Sequence, residues 1–289
     1  MIRTLCTILA GLLGLAFGSF LNVCLSRWPE SESVVKPRSH CRNCGRTLAW
    51  WENVPLLSWI ALRGRCRTCQ SKISWRYPLV ELAVAGLWAL SAWISIPEFP
   101  VLPVAEKEAV AGAVAMMIFS WLLIALAILD AENLWLPNFL TYPGIIAGLV
   151  FTTIFRAVGN DLFQPAHPIY FFWKRLGSAA AGAALILLIR WTYRLIRRRE
   201  GIGLGDAKLM AMLGAWLGLS GALLSFAIGV MLGSLFALVV LAVPAARRQS
   251  DTWLQSKLPL GTFLCVGGIV SALWGQPIIA AYMRWVGLT

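Results

Sequence analysis

The sequence is dominated by apolar runs that are each about as long as a membrane-spanning helix. A helix rises 1.5 Å per residue, so about 20 apolar residues are needed to cross the hydrocarbon core of a bilayer. The runs lie at residues 5–25, 78–96, 109–130, 138–157, 174–194, 206–220, 222–243 and 259–280. We therefore predict an all-α polytopic membrane protein with about eight transmembrane helices.

Composition indicates that lipid, rather than water, is the solvent of this chain. Of its 289 residues, 59% are hydrophobic and only 13% are charged, and the mean hydropathy is +0.73. A soluble domain has roughly 45–50% apolar and about 25% charged residues. The net charge of +12 does not indicate nucleic-acid binding, because the basic residues are concentrated in a few segments between the apolar runs.

The distribution of charge predicts an orientation. The first run, 5–25, resembles a signal peptide but is long and lacks a convincing small-residue cleavage site, so we predict a retained span. Segment 27–77 carries ten Lys or Arg residues against three acids, basic turns follow near Arg197 and Arg247, and loop 97–108 is acidic. The positive-inside rule then places the basic segments in the cytoplasm and both termini in the periplasm. The predicted parts are a first transmembrane helix (1–26), a cytoplasmic loop (27–77) and a transmembrane domain (78–289).

Four of the seven cysteines form two Cys-x-x-Cys pairs in segment 27–77, namely Cys41, Cys44, Cys66 and Cys69. Each pair can bend the chain so that two sulfurs point at one place, and two pairs complete a tetrahedral Cys₄ shell suited to Zn²⁺. Two disulfides or free thiols are the alternative, and a reducing cytoplasm disfavours disulfides. A shell of four thiolates leaves no open position, so we predict a structural zinc ion that replaces missing hydrophobic burial.

Carboxylates in or beside apolar spans are rare and usually functional. Asp130 ends the third run, Asp206 begins the sixth, and Glu81 lies one turn into the second. The predicted topology places the two aspartates at one depth, where they can share a proton, activate a water and protonate a leaving amine. The alternative is that each only caps a helix. The sequence around Asp206 favours catalysis because glycines let a peptide approach, and its supporting residues are Gly203, Gly205 and Lys208.

The two aspartates are expected to differ in their electrostatic surroundings. Asp206 begins a helical run, where the helix dipole and free backbone N–H groups stabilise a carboxylate. Asp130 ends a helical run, near the negative end of its dipole. Because two like charges held close together cannot both ionise easily, we expect one shared proton that rests mainly on Asp130, with Asp206 as the base.

These motifs resemble those of the type IV prepilin peptidases, and the resemblance covers nearly the whole chain. The two aspartates fall where that family has its catalytic acids. The most similar segments are 18–23, 39–82 and 259–261. The chain departs from the commonest family residues at Arg42, Asn138, Leu260 and Thr262, where Pro, Asp, Phe and Pro are frequent. None of these departures changes the two acids or the four thiols.

The resemblance implies an aspartic peptidase of the bacterial inner membrane that removes the leader of type IV prepilins or type II secretion pseudopilins. It also implies N-methylation of the new amino terminus with S-adenosylmethionine, which the family associates with a complete cysteine segment. On that basis Gly64 and Glu52 are candidates for binding the methyl donor. The implied partners are these substrates and membrane lipid, without nucleic acid; the particular pilin and the oligomeric state are left open.

Two alternatives stay open from the sequence. The chain could be a peptidase without methyltransferase activity, since no glycine-rich fingerprint follows a strand. It could also be a proton-coupled transporter or a membrane assembly factor, with Asp130, Asp206 and Glu81 as a proton relay and the zinc loop as a docking module. No paired repeats or broken helices favour this second alternative.

Overall fold

The fold is all-helical, as predicted. A computed structural model describes residues 2–98, 103–158, 168–198, 203–242 and 259–287. Within these ranges, β structure is limited to two isolated bridges. The helices are α1 (Ile2–Arg27), α2 (Leu57–Ala61), α3 (Arg76–Ser95), α4 (Pro103–Asn133), α5 (Asn138–Val158), α6 (Pro168–Arg197), α7 (Leu204–Ala242) and α8 (Leu260–Val286), with a 3₁₀ helix at Trp50–Asn53.

The protein is a multi-pass membrane protein, but the predicted count of eight spans is not confirmed. In the described part of the chain, six helices are long and apolar enough to cross a membrane, and α5 contributes only the shorter apolar stretch Asn138–Ile154. The spans predicted at 206–220 and 222–243 correspond to two helical segments that meet at a kink at Gly218, and the label α7 covers both. Gly218 has φ +76°, a conformation that glycine adopts without a steric penalty, so the break lies slightly before its predicted place.

The predicted orientation and the predicted domain division stay predictions. The basic turn at Arg247 falls in residues 243–258, which are outside the described ranges. The predicted acidic loop 97–108 is partly helical, because α4 already begins at Pro103.

The chain forms two compact units, Met1–Ala125 and Leu126–Thr289. In the first unit, α1 and α3 pack directly against each other through small residues. A Cβ atom placed on Gly18 would lie 2.7 Å from Glu81 Cα, so no larger residue fits there without moving a helix. Small residues of this kind let helix backbones approach closely in lipid. The contact fixes the last turns of α1 against the first turns of α3.

The segment between α1 and α3 has little regular structure and is anchored by a buried cation. Arg27, the last residue of α1, donates hydrogen bonds to Ser33 O at 2.8 Å and Pro37 O at 2.7 Å. Its side chain thereby satisfies carbonyl groups in a stretch that has no helix or strand to do so. The cysteine segment therefore starts from a fixed point at the end of α1.

In the second unit, α7 is the central helix and packs against α5, α6 and α8. Its residues Leu209, Met210 and Leu213 are fully buried. Trp216 in α7 donates its indole N–H to Gly144 O in α5 at 2.8 Å. This packing holds the N-terminal ends of α7 and α8 in fixed positions, and both ends carry residues of the site described below.

Candidate functional site

The four thiols of the two cysteine pairs converge on one point. The Sγ atoms of Cys41, Cys44, Cys66 and Cys69 all lie within 4.8 Å of one another, and those of Cys41 and Cys69 are 3.7 Å apart. Zn–S bonds of about 2.3 Å in a tetrahedron place two sulfurs about 3.8 Å apart. The cluster therefore has the dimensions of a Cys₄ zinc site, and none of the four thiols is consumed in a disulfide.

Tight backbone turns present the sulfurs. In the first turn, Gly45 N–H donates to Cys41 O at 2.8 Å, and in the second, Gln70 N–H donates to Cys66 O at 3.0 Å. Both turns are completed by a residue with positive φ, +71° at Gly45 and +55° at Gln70. Gln70 therefore takes the place in the second turn that Gly45 takes in the first. Gly64 also has a positive φ, of +64°, but it lies before the second turn and is not part of it.

Hydrogen bonds also favour the thiolate form of one ligand. The hydroxyl of Ser71 lies 3.1 Å from Cys69 Sγ, and Asn43 Nδ2 donates to the same sulfur at 3.5 Å. The hydrogen bond with Ser71 is the main reason that the pKa of Cys69 falls to about 5. Because the thiolate is the form that binds metal, this environment suits a zinc ligand.

A cavity of about 550 Å³ lies beside the cysteine cluster, within the first unit. Small-molecule sites commonly have volumes of about 300–1,000 Å³, so the cavity can hold a nucleoside-sized ligand. Its wall combines the last turns of α1, the first turns of α3 and the cysteine segment. Lining residues that matter below are Asn22, Glu32, Cys66, Glu52, Trp59 and Glu81.

Glu52 lines this cavity, but its carboxylate already has partners. One oxygen accepts a hydrogen bond from Arg46 Nη2 at 2.6 Å and the other accepts Ala49 N–H at 2.7 Å. The hydrogen bond from Arg46 is the first cause that holds the pKa of Glu52 below its usual range. Glu52 therefore ties the 3₁₀ helix to the first cysteine turn, and this structural role was not predicted from the sequence.

Gly64 shapes the cavity indirectly. It is not among the residues that line the cavity, and its φ is +64°. A Cβ atom placed there would lie 2.8 Å from Trp59 Cζ2, and the Trp59 ring does line the cavity. The absent side chain of Gly64 thus sets the position of one wall. Direct binding of a methyl donor by Gly64 or Glu52 stays a prediction.

The two aspartates occupy the helix ends predicted for them. Asp206 is in the first turn of α7 and is 8% exposed, and its Oδ2 accepts Gly203 N–H at 3.2 Å. Asp130 is in the last turn of α4 and is 6% exposed. Its Oδ2 accepts Thr262 N–H at 2.7 Å and lies 3.1 Å from the Thr262 hydroxyl. The sequence did not predict this role of Thr262, and the signal for it was its position directly after segment 259–261.

Leu136 links the surroundings of the two acids. A Cβ atom on Gly205, the neighbour of Asp206, would lie 3.0 Å from Leu136 Cβ. A Cβ atom on Gly261 would lie 2.9 Å from Asp130 Cγ and 3.0 Å from Leu136 Cδ1. Both acids therefore belong to one locus, where their charges interact. Glycine at 205 and 261 lets the Leu136 side chain and the Asp130 carboxyl group pack directly against the backbone.

Lys208 does not turn toward Asp206 but bonds to α5. Its ammonium donates to Asn138 Oδ1 at 2.6 Å and lies 5.3 Å from the centroid of the Tyr142 ring. Because Asn138 is the first residue of α5, this contact joins the N-terminal ends of α5 and α7. Lys208 thus supports the backbone that carries Asp206.

Comparison with known proteins identifies both parts of the chain. Residues 12–95 match the bacterial peptidase A24 N-terminal domain, and residues 117–238 match the type IV leader peptidase family. A prepilin leader peptidase/N-methyltransferase of Pseudomonas putida is 32% identical over 306 residues, covering 96% of this chain and 94% of that protein. The enzyme of the same name from Aeromonas hydrophila is 33% identical over 302 residues, covering 94% of this chain and 92% of the relative.

A third relative, the prepilin leader peptidase/N-methyltransferase of Myxococcus xanthus, is 40% identical over 205 residues, or 71% of this chain and 54% of that protein. No solved structure shows a significant match. The first match spans the cysteine cluster and the cavity, and the second spans Asp130 and Asp206. On this evidence the chain belongs to the type IV leader peptidase family.

Proposed function

We propose that the chain cleaves the leader of type IV prepilins or type II secretion pseudopilins and then methylates the new amino terminus. The observation that carries the peptidase half is the pair of buried carboxylates at one locus, Asp130 and Asp206. Two such groups can share a proton, so that one activates a water while the other protonates the leaving amine.

The surroundings of the acids suit a peptide substrate. Gly205 and Gly261 add no side-chain bulk of their own beside the carboxylates, where the side chain of Leu136 packs against both glycines. Thr262 holds Asp130 through its N–H and hydroxyl groups. Lys208 and Asn138 fix the start of α7, which positions Asp206.

The methyltransferase half is assigned to the cavity of the first unit. S-Adenosylmethionine supplies an electrophilic methyl group on a sulfonium ion. Cys41 and Cys66 lie in the cavity wall, so a zinc ion on the four thiols would hold that wall in place without taking part in the reaction. Trp59, whose ring lies against Gly64, offers an aromatic surface for a cationic or planar ligand.

The names of the relatives favour the double activity over a peptidase alone, and nothing in the comparisons supports a proton-coupled transporter or an assembly factor. The proposed location is the bacterial inner membrane. The zinc segment and the aspartate pair face the cytoplasm in this proposal, and both termini face the periplasm, in keeping with the basic segment 27–77.

The test uses the full-length, zinc-loaded protein with a prepilin-like peptide and labelled S-adenosylmethionine, scoring cleavage and label transfer separately. Asp130→Asn and Asp206→Asn should each abolish cleavage, while label transfer to a peptide that already has the mature amino terminus persists. Glu132→Gln, an exposed acid in the same turn as Asp130, is the matched control and should cleave normally. Near wild-type cleavage by either Asn variant would refute the assignment.

A further inference from the structure

We propose that the cavity of the first unit contains a subsite for the methyl acceptor, in which Glu81 and Asn22 bind the primary amine at the start of the substrate. Glu81 then accepts the proton that this amine must lose before it can be methylated. The inference rests on the proposed methyltransferase function and names the residues that act on the acceptor.

The first observation is an unsatisfied amide at the cavity. Asn22 is 1% exposed, lines the cavity and donates Nδ2 to Tyr77 O at 2.9 Å. Its Oδ1 is buried and has no hydrogen-bond partner in the part of the chain that the structure describes. A buried acceptor without a donor is destabilising, and a ligand that brings an N–H group removes the penalty.

The second observation is a buried acid without a counterion. Glu81 is 6% exposed in an apolar helix, and its Oε2 accepts Leu56 N–H at 2.8 Å. Its other neighbour is the neutral hydroxyl of Ser19. No Lys, Arg or His of the described ranges forms a salt bridge with it. A buried carboxylate is normally paired, so this one is suited to a cationic ligand.

Glu52, the other buried acid of the cavity, differs from Glu81 in its partners. Both acids are buried and both line the cavity. Glu52 is neutralised by Arg46 at 2.6 Å, whereas among the described residues the hydrogen-bond donors to Glu81 are neutral. Of the two, Glu81 is therefore the one whose charge is available to a ligand.

Asn22 and Glu81 lie on neighbouring turns of two helices in contact. Asn22 bonds to the carbonyl of Tyr77, one turn before Glu81 on α3, and Gly18, one turn before Asn22 on α1, packs on Glu81 itself. An ammonium group has three N–H donors in a compact arrangement, which matches a carboxylate together with an amide oxygen. A rigid pair of helices thus presents two acceptors to one small cation.

The chemical step balances with the groups named. The ammonium transfers one proton to the Glu81 carboxylate and becomes a neutral amine. Its lone pair forms a C–N bond with the methyl carbon of the sulfonium donor, while the C–S bond breaks and its electron pair goes to sulfur. The products are a secondary ammonium, a neutral thioether and a protonated Glu81, which then releases its proton to water.

Binding to the wild-type protein tests the subsite first and needs no variant. Two short peptides with an amino-terminal Phe, one with a free amine and one N-acetylated, are titrated into the full-length, zinc-loaded protein in nanodiscs. The free-amine peptide should bind at least tenfold more tightly. Equal affinities would overturn the proposal.

Variants then assign the role to Glu81. Glu81→Gln keeps an acceptor for Leu56 N–H and should lose the preference for the free amine and at least a hundredfold of methyl transfer. Its affinity for S-adenosylmethionine and its cleavage rate should be unchanged. Glu32→Gln, which removes an exposed acid from the same cavity, is the matched control and should retain the amine preference.

The outcomes separate this inference from the proposed function. If wild-type protein neither binds S-adenosylmethionine nor transfers label, the methyltransferase function itself fails. If wild-type protein methylates but Glu81→Gln loses donor binding as much as peptide binding, Glu81 belongs to the donor site and the acceptor subsite is refuted. If Glu81→Gln does not fold, the comparison of the two peptides on wild-type protein still decides whether the cavity has a subsite for the amine.

Discussion

Replacing Gly64 by alanine should damage methyl-donor binding through Trp59 and leave cleavage intact. The new Cβ atom would lie 2.8 Å from Trp59 Cζ2, about 0.7 Å closer than an ordinary carbon–carbon contact of about 3.5 Å. Trp75 packs against the Trp59 ring with ring centroids 4.1 Å apart, so a displacement of Trp59 also disturbs this aromatic contact. The substitution must therefore move a cavity wall.

Gly45→Ala is the matched control for the magnitude. Gly45 has a φ of +71°, close to the +64° of Gly64, but a Cβ atom there would meet nothing within 4 Å. Alanine in the left-handed conformation costs about 1–2 kcal/mol at either position. Overpacking adds about 1–3 kcal/mol at Gly64 alone. The difference between the two variants therefore isolates the displacement of Trp59.

The assay is equilibrium binding of labelled S-adenosylmethionine to full-length protein at saturating zinc, with peptide cleavage as the reference activity. The dissociation constant should rise at least about tenfold in Gly64→Ala, equivalent to about 1.4 kcal/mol, and less than about threefold in Gly45→Ala. Cleavage should be near wild type in both. Equal losses of donor affinity in the two variants would show that backbone strain, rather than Trp59, is responsible.

Three further predictions concern the zinc cluster, Asp130 and Glu52. Cys66→Ser should lower the zinc content measured by elemental analysis and reduce methyl transfer more than cleavage; a zinc-free wild-type protein purified without chelator would contradict this. Thr262→Val should slow cleavage by about threefold to tenfold through loss of the hydroxyl contact to Asp130, and Thr262→Ser should not; equal rates in the two variants would exclude that role. The lowered pKa of Glu52 stabilises the fold above its unfolded-state pKa, and this contribution is lost as pH falls through the folded-state pKa. Arg46→Met should therefore raise the pH at which tryptophan fluorescence reports acid unfolding of the cysteine segment, whereas an unchanged midpoint would refute the linkage.

The sequence predicted the structure well wherever a residue pattern has a single physical explanation. Apolar runs of about 20 residues require lipid, and paired Cys-x-x-Cys motifs direct sulfurs at one point, so the helical class and the sulfur cluster were predictable. The kink of α7 was expected near 220–222 and occurs at Gly218, because any glycine in that stretch can adopt a positive φ. The count of spans was less predictable, since one long helix and two helical segments that meet at a kink have the same hydropathy.

The polar contacts between distant segments were not predictable. Glu52 was singled out as a ligand-binding residue, yet its partners Arg46 and Ala49 become neighbours only through the 3₁₀ helix. The contact of Leu56 N–H with Glu81 likewise depends on where the cysteine segment meets α3. Sequence identifies such polar residues as unusual, but only the fold decides which of them are already satisfied.

The acid and base roles of the aspartates show the same limit. Both helix ends are as predicted, but each carboxylate is also exposed to the dipoles of helices other than its own. Thr262 lies in the first turn of α8, so its N–H group brings a second helix N-terminus to Asp130 at 2.7 Å. In the described ranges Asp130 thus has contacts with the N–H groups of Thr262 and Gly261 and with the Thr262 hydroxyl, and Asp206 accepts from Gly203. The dipole of α4 is expected to keep the proton on Asp130, but the dipole of α8 opposes it. The assignment of Asp206 as the base therefore no longer follows from the helix ends. With each carboxylate at a helix N-terminus, the pair is closer to symmetric, which suits two groups that exchange a single proton as water is activated and the amine departs.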